Sequence, residues 1–340
     1  MDSGGADHPA ERGRPAVSRG GGSLERQGRR LDLAARAAWL YYIAGNTQDE
    51  IATKLNVSRQ AAQRLVALAV AEKLIRFRLD HPLAACAALA EALRDRFGLA
   101  LCDVAPSDPG DGAGVAGLAV CAAQHLEGFL AQKAPLVLAL GTGRTLRAAV
   151  DEVAPMAQPQ HKIVSLVGTM ARHGRASAFE VVMRLADRVG AQCFPMPTPV
   201  IAGSVEEREL LQTQGSVRAV RELADRARVA FVGVGEVAWH GALHQDGFID
   251  DQELAELIER GAVGEIVGWA FDADGRLIEG STNERVAGLP LERPPRRLTV
   301  AVAGGRAKAG AIRAALCGRL VSGLITDESA ARAILEPDGG

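Results

Sequence analysis

The spacing of apolar residues changes character three times along this chain. From residue 46 to 70 it has helical period, in two short stretches. Ile51 and Leu55 lie four apart and share one helix face. Ala61, Leu65, Leu68 and Ala69 form the stripe of a second helix, and Asn56-Val57 make the turn between the two, where Asn accepts left-handed backbone. Residues 74–79 then alternate with period two, apolar on one face and Arg76 and Arg78 on the other, which predicts a short strand or wing. Residues 82–97 return to helical period, with Leu83, Ala87, Ala90, Leu93 and Phe97 at 4-3-3-4 spacing, closed by Gly98.

From residue 99 short apolar runs alternate with longer helical segments. The strand-like runs are 99–104, 136–140, 163–167, 229–234, 298–303 and 320–325. Helices are expected at 113–132, 144–153, 177–190, 204–227 and 306–318. This alternation predicts a mostly parallel sheet covered on both faces. The fold class is therefore α/β, with an N-terminal helix–turn–helix of winged type ahead of a parallel α/β domain. The expected division is a disordered tail over 1–30, a helix–turn–helix domain over 31–80, a linker or dimerisation helix over 81–98, and the parallel α/β domain over 99–336. Residues 31–45 should form the first helix, stopped by Gly45.

Local chemistry supports the helix pair. Thr47 and Glu50 have the spacing of a capping box, and Ser58 suits the cap of the second helix. Arg59, Gln60, Gln63 and Arg64 fall opposite the apolar stripe, and Arg and Gln are residue types that make bidentate contacts to guanine and adenine edges. Thr47, Gln48, Ser58 and Arg76 complete the set expected at a double-stranded DNA operator, where they would position the backbone. A plain amphipathic helix pair would carry the same stripe, but two helices this short bury little unless they serve docking. The stripe over 82–97 needs a partner. That partner is either another part of the same chain or the same helix of a second subunit; the second subunit is favoured, because two-fold DNA readers need a dimer device near the reading head.

Composition adds limits. The 340 residues suffice for two or three domains, and 48% hydrophobic with only 4% aromatic residues describes a globular interior of Ala, Val and Leu. No apolar run reaches a membrane span and the N-terminus has no signal-peptide core, which predicts a cytoplasmic protein without membrane contact. The five cysteines are scattered and odd in number, so neither disulfides nor a metal site is expected. Residues 1–80 hold 13 Lys/Arg against 9 Asp/Glu, a balance of +4, whereas the whole chain is −2 and the remainder therefore −6. A weakly basic front on an acidic body fits a DNA-reading module on a larger domain.

Two turns in the second domain share one design. Leu136–Leu140 runs into Gly141-Thr142-Gly143-Arg144-Thr145 and a helix. Leu298–Ala303 runs into Gly304-Gly305-Arg306-Ala307-Lys308 and a helix. Glycines let backbone N–H groups approach an anion and the helix dipole favours it. Neither turn is a Walker A or a G-x-G-x-x-G, so no nucleotide is implied. A plain strand–helix turn and an exposed lysine would read the same way. Glu265 lies between Gly264 and Gly268 in an apolar strand, an awkward place for a solvated carboxylate. Asp272-Ala-Asp-Gly275 signals a hairpin, and Met196–Pro199 an extended loop.

With these residues in view, the chain resembles the SorC/DeoR-like family of bacterial sugar-binding transcriptional regulators over about residues 33–336. The motifs are WLYYIAGNTQDEIATKLNVSRQAAQRLVALA, LALGTGRTL, FVGVGEV, VGEIVGWAFDADG, VAVAGGRAKAGAIRAAL and SGLITDESAARAIL. Each is weak alone; their joint occurrence in this order is specific. The resemblance implies a C-terminal domain related to phosphosugar isomerase and CoA-transferase folds, a homo-oligomer (dimer or tetramer), no cofactor, and a phosphorylated sugar as effector. It implies that Gly141–Thr145, with Gly304, Gly305 and Lys308, holds the phosphate and that Glu265 faces sugar hydroxyls. The chain departs from many relatives at Ala176–Phe179, where they carry an Asn. A sugar-phosphate isomerase-like enzyme is the alternative, with Glu265 and Asp272 or His240 as the imaginable acid–base pair.

Overall fold

The computed structural model describes residues 21–75, 83–107, 115–171, 174 and 181–336. Two compact units divide at Asp80–His81. The first contains α1 (Gly21–Tyr42), α2 (Gln48–Leu55) and α3 (Arg59–Ala71). Its core is small: Ala34, Ala37 and Ala38 of α1, Ile51 of α2, and Ala62, Leu65, Val66 and Ala69 of α3. Alanines on α1 let the other two helices approach closely.

The helix–turn–helix forms for the local reasons anticipated. Thr47 accepts from the Glu50 N–H while Glu50 accepts from the Thr47 N–H, a complete capping box. Ser58 caps α3 through the Ala61 N–H, and Asn56 takes the left-handed conformation at φ 53°. Two details differ. The buried stripe of α3 uses Ala62 and Val66 beside Leu65 and Ala69, whereas Ala61 and Leu68 are only half-buried. The tail expected to be disordered through residue 30 is helical from Gly21, because Leu, Glu, Arg and Gln favour extending a helix already nucleated downstream. The predicted wing over 74–79 falls, from residue 76 onward, outside the described residues.

The second unit runs α4 (Ala84–Phe97), β1 (Leu101–Ala105), α5 (Val115–Leu130), β2 (Val137–Leu140), α6 (Arg144–Glu152), β3 (Lys162–Met170), α7 (Val182–Val189) and β4 (Gln192–Pro199). It continues with α8 (Val205–Thr213), α9 (Gly215–Asp225), β5 (Val229–Val232), β6 (Gly235–Glu236), α10 (Ala242–Gln245), α11 (Asp251–Glu259), β7 (Gly264–Ile266) and β8 (Trp269–Phe271). β9 (Leu298–Val302), α12 (Ala309–Cys317), β10 (Gly323–Asp327) and α13 (Glu328–Leu335) complete it. Seven strands form one sheet in the order β1-β10-β9-β5-β2-β3-β4, every pairing parallel. Both faces are buried. Ala139, Val164, Ala230 and Ala301 point into one core, and their neighbours Leu138, Ile163, Phe231 and Val300 into the other. Alternate residues of each strand thus serve opposite cores, which is why the strands read as continuous apolar runs.

Three expectations are corrected here. The stripe on α4 finds its partner within the chain: Cys86, Ala90 and Leu93 join the core beside β1 and α13, which leaves Leu83 and Ala87 on the exposed side. The expected loop at Met196–Pro199 belongs to β4, an edge strand, where prolines without N–H donors are tolerated. The single helix expected over 204–227 is two, broken at Gln214, whose backbone is extended (ψ 135°).

Candidate functional site

On the first unit, Arg59, Gln60, Gln63 and Arg64 all lie exposed on one face of α3. Arg59 sits in the first turn, where the helix dipole disfavours a cation, and it pairs with Asp49 of α2 at 3.5 Å. Sequence reasoning missed that bridge; an acidic residue early in the preceding helix was its only signal. Thr47 and Ser58 spend their hydroxyls as helix caps. The hydrogen bonds from Thr47 hold the Glu50 carboxyl below its ordinary range. Gln48 is half-buried at the start of α2, and its amide oxygen has no hydrogen-bond partner. Arg76 lies outside the described residues.

In the second unit, β2 leads to β3 on one side and β5 leads to β9 on the other, so the crevice between β2 and β5 is a topological switch point. Open α/β sheets bind ligands at the carboxyl ends of their strands in such a place. Gly141 follows β2 there and Gly233 follows β5. Each is tightly fitted: a Cβ on Gly141 would lie 3.1 Å from Val267, and one on Gly233 would lie 3.1 Å from the Thr142 carbonyl. Gly141 gives its N–H to the Phe231 carbonyl (2.8 Å), so it shapes the turn. Gly143 is the N-cap of α6 at φ 125°, with no side-chain cap bond, and a Cβ there would meet nothing within 4 Å. Gly143 thus supplies no side-chain acceptor to the first turn of α6, which carries Arg144 and Thr145. Arg144 reaches across to Asp246 at 3.1 Å.

The wall opposite is a hairpin. β6, β7 and β8 form a three-stranded antiparallel sheet, with the β7–β8 turn at Val267 (φ 48°) and Gly268 (φ 91°). Two positive φ values in a two-residue connection are the geometry that matches strand twist, though a β-branched residue adopts it at a cost. Glu265 lies within a β-hairpin turned at Val267–Gly268, two residues earlier than an uninterrupted strand through Gly268 would allow. The Gly268 N–H donates to Glu265 Oε2 (3.0 Å), and burial raises the carboxyl above its ordinary range, against the charge of Lys308. Burial in turn lowers Lys308, opposed by Glu265 and Glu236 and reinforced by Arg144. Thr142, Gly143, Asp246, Glu265, Val267 and Gly268 line one small cavity.

The second glycine turn is built differently. The Gly305 N–H donates to Asp327 Oδ2 (2.5 Å), and a Cβ on Gly304 would fall 2.0 Å from that same oxygen. Asp327 is fully buried and also caps α13 through the Ala330 N–H (2.9 Å). Gly304 is thus required by the approach of a carboxylate from within the chain, and the Gly305 donor is already taken. Lys308 is the member of this turn whose charge acts on Glu265. Residues 176–179 lie outside the described residues.

The acid–base partners imagined for an enzyme do not assemble. Asp272 accepts the Asp274 and Arg276 N–H groups at 2.9 and 2.8 Å, which commits it to its hairpin. His240 is exposed.

Comparison with known proteins agrees with this geometry. Residues 81–336 match the family described as "Putative sugar-binding domain". The chain is 35% identical over 308 residues to the erythritol catabolism regulatory protein EryD of Brucella abortus, covering 90% of this chain and 98% of that one. It is 32% identical over 311 residues to the transcriptional regulator LsrR of Klebsiella pneumoniae, covering 89% and 93%. In fold it is similar to the full-length sorbitol operon regulator SorC of Klebsiella pneumoniae, with a TM-score of 0.66 at 22% identity, covering 91% of this chain and 100% of that one. These relatives are regulators and not enzymes. A capped helix–turn–helix joined to this parallel domain, with a sugar-binding match over most of its length, places the chain in the SorC/DeoR family of sugar-binding transcriptional regulators.

Proposed function

We propose that the crevice at the β2–β5 switch point takes a small phosphorylated sugar or polyol, and that its occupancy sets the affinity of the reading head for an operator in a carbohydrate-metabolism operon. The observation that carries this is the start of α6 at Gly143 on the cavity that holds Glu265, with Lys308 near enough to act on that carboxylate. The Gly143–Thr145 donors and Lys308 suit a phosphate. Glu265 can accept from sugar hydroxyls. One relative is named for erythritol catabolism and another is a deoxyribonucleoside regulator of Bacillus subtilis, which supports a small carbohydrate.

The chain acts as a homo-oligomer, dimer or tetramer, on a roughly palindromic operator. A ligand that prefers one arrangement of the oligomer shifts DNA affinity by that preference and no more. DNA is its macromolecular partner and the cytoplasm its place of action. Among the described residues, no helix is long and apolar enough to cross a membrane. Arg59, Gln60, Gln63 and Arg64 read bases, with Arg59 exchanging Asp49 for DNA.

A thermal-shift series with phosphorylated sugars tests the pocket. At 100 times Kd a ligand adds about 2.7 kcal/mol. That shift should vanish in Lys308→Ala, whereas a series with no shift in the unmodified chain overturns the assignment. Arg64→Ala should weaken specific operator binding by about 1–3 kcal/mol in an anisotropy titration. Unchanged affinity would remove that helix face from base reading.

A further inference from the structure

We propose that Asp103, Cys121 and His125 form a site for a divalent transition-metal ion of the zinc class, at the edge of the sheet remote in sequence from the sugar pocket's loops. Asp103 projects from β1, the edge strand beside β10. Cys121 and His125 are four residues apart on α5 and therefore share one face of that helix. His125 Nε2 lies 2.9 Å from Asp103 Oδ2, and Cys121 Sγ lies within 4.8 Å of both ligand atoms.

The donor set decides the class of ion. A thiolate, an imidazole and a carboxylate suit zinc or cobalt, and not calcium or magnesium, which take oxygen ligands. A tetrahedral zinc shell with bonds of about 2.0–2.3 Å holds its ligands roughly 3.3–3.8 Å apart. The three ligand atoms lie within 4.8 Å of one another, and the 2.9 Å His125–Asp103 contact must widen slightly to admit the ion. The side chains of Asp103 and His125 keep 45% and 27% of their accessibility, so the site is open to an entering ion and to a water as fourth ligand. On binding, Cys121 gives up its thiol proton to solvent and the ion takes its place between thiolate, imidazole and carboxylate. The sequence signal was C-x-x-x-H, one helical turn; it is hidden because the third ligand comes from a strand 18 residues earlier. This site stands independently of the proposed function.

Cobalt titration of the full chain tests it. One equivalent of Co²⁺ should produce a thiolate-to-cobalt absorption band, displaced by Zn²⁺. Cys121→Ser should abolish the band, and His125→Gln and Asp103→Asn should each weaken binding at least about tenfold, since even residues that only support metal ligands contribute 10–100-fold. Circular dichroism confirms that each variant is folded. Should Cys121→Ser misfold, the zinc-dependent rise in melting temperature, present in the unmodified chain and absent in His125→Gln, carries the test. The proposal is overturned if Co²⁺ gives no thiolate band. It is also overturned if the band survives Cys121→Ser and is lost in a variant of the exposed Cys317.

Discussion

The turns at Gly141–Thr145 and Gly304–Lys308 look like duplicates in sequence: apolar strand, two glycines, a basic residue, a helix. In the structure they do opposite things. The first leaves the start of α6 without a side-chain cap, at a glycine facing open space. The second closes on Asp327, whose carboxylate takes the Gly305 N–H and leaves no room for a side chain at Gly304. What separates the two turns is a single acidic residue arriving from another strand. A glycine-rich turn states only that some acceptor comes close. Whether that acceptor belongs to the chain is decided elsewhere in the sequence.

The largest effect that can break this comparison is Asp327→Ala. At least two hydrogen bonds to a buried carboxylate are lost, each contributing about 1.5–3 kcal/mol, so urea unfolding should show a loss of roughly 3 kcal/mol or more. A loss under 1 kcal/mol would mean that the carboxylate does not hold the turn. Gly304→Ala comes next, at about 1–3 kcal/mol for overpacking against Asp327. Most of that cost should disappear when Asp327 is already alanine; additive costs would place the clash elsewhere. At the first turn the cost of Gly143→Ala, which comes from its φ of 125°, should not depend on residue 327.

The smallest effect concerns pH. Burial lowers Lys308, so it loses its proton at a lower pH than an ordinary lysine. An anion binds the protonated form. Sugar-phosphate affinity should therefore fall as pH rises through that lowered value, before the usual lysine range is reached. Lys308→Arg should flatten the profile over the same range, since guanidinium stays protonated. Calorimetric titrations across alkaline pH would show it, and parallel profiles for the two proteins would take Lys308 out of the anion contact.

Legibility followed distance along the chain. The caps of α2 and α3 were readable because Thr47 acts on Glu50, and Ser58 on Ala61, three residues along the chain. The apolar strands were readable because two-sided burial removes polar residues from them. The stripe of α3 was displaced by one residue, since Ala62 and Val66 are selected by alanines on α1 and not by their neighbours. β4 was hidden by its prolines. The partner of α4 was assigned to another subunit because β1 and α13 lie on opposite ends of the domain's sequence. Asp327 and Asp246 were invisible as site residues for the same reason: nothing local distinguishes a carboxylate that will fold back onto a distant loop.

The prolines of β4 carry a last consequence. Gln192 and Val200 direct their N–H groups to the His161 and Met170 carbonyls at the two ends of β3, so the even-numbered residues face the sheet. Pro195, Pro197 and Pro199 occupy the alternate positions, on the outer side of the last strand. A foreign strand arriving at that border would find carbonyls but almost no donors to zip against. The border is thereby protected against runaway fibre growth by strand addition.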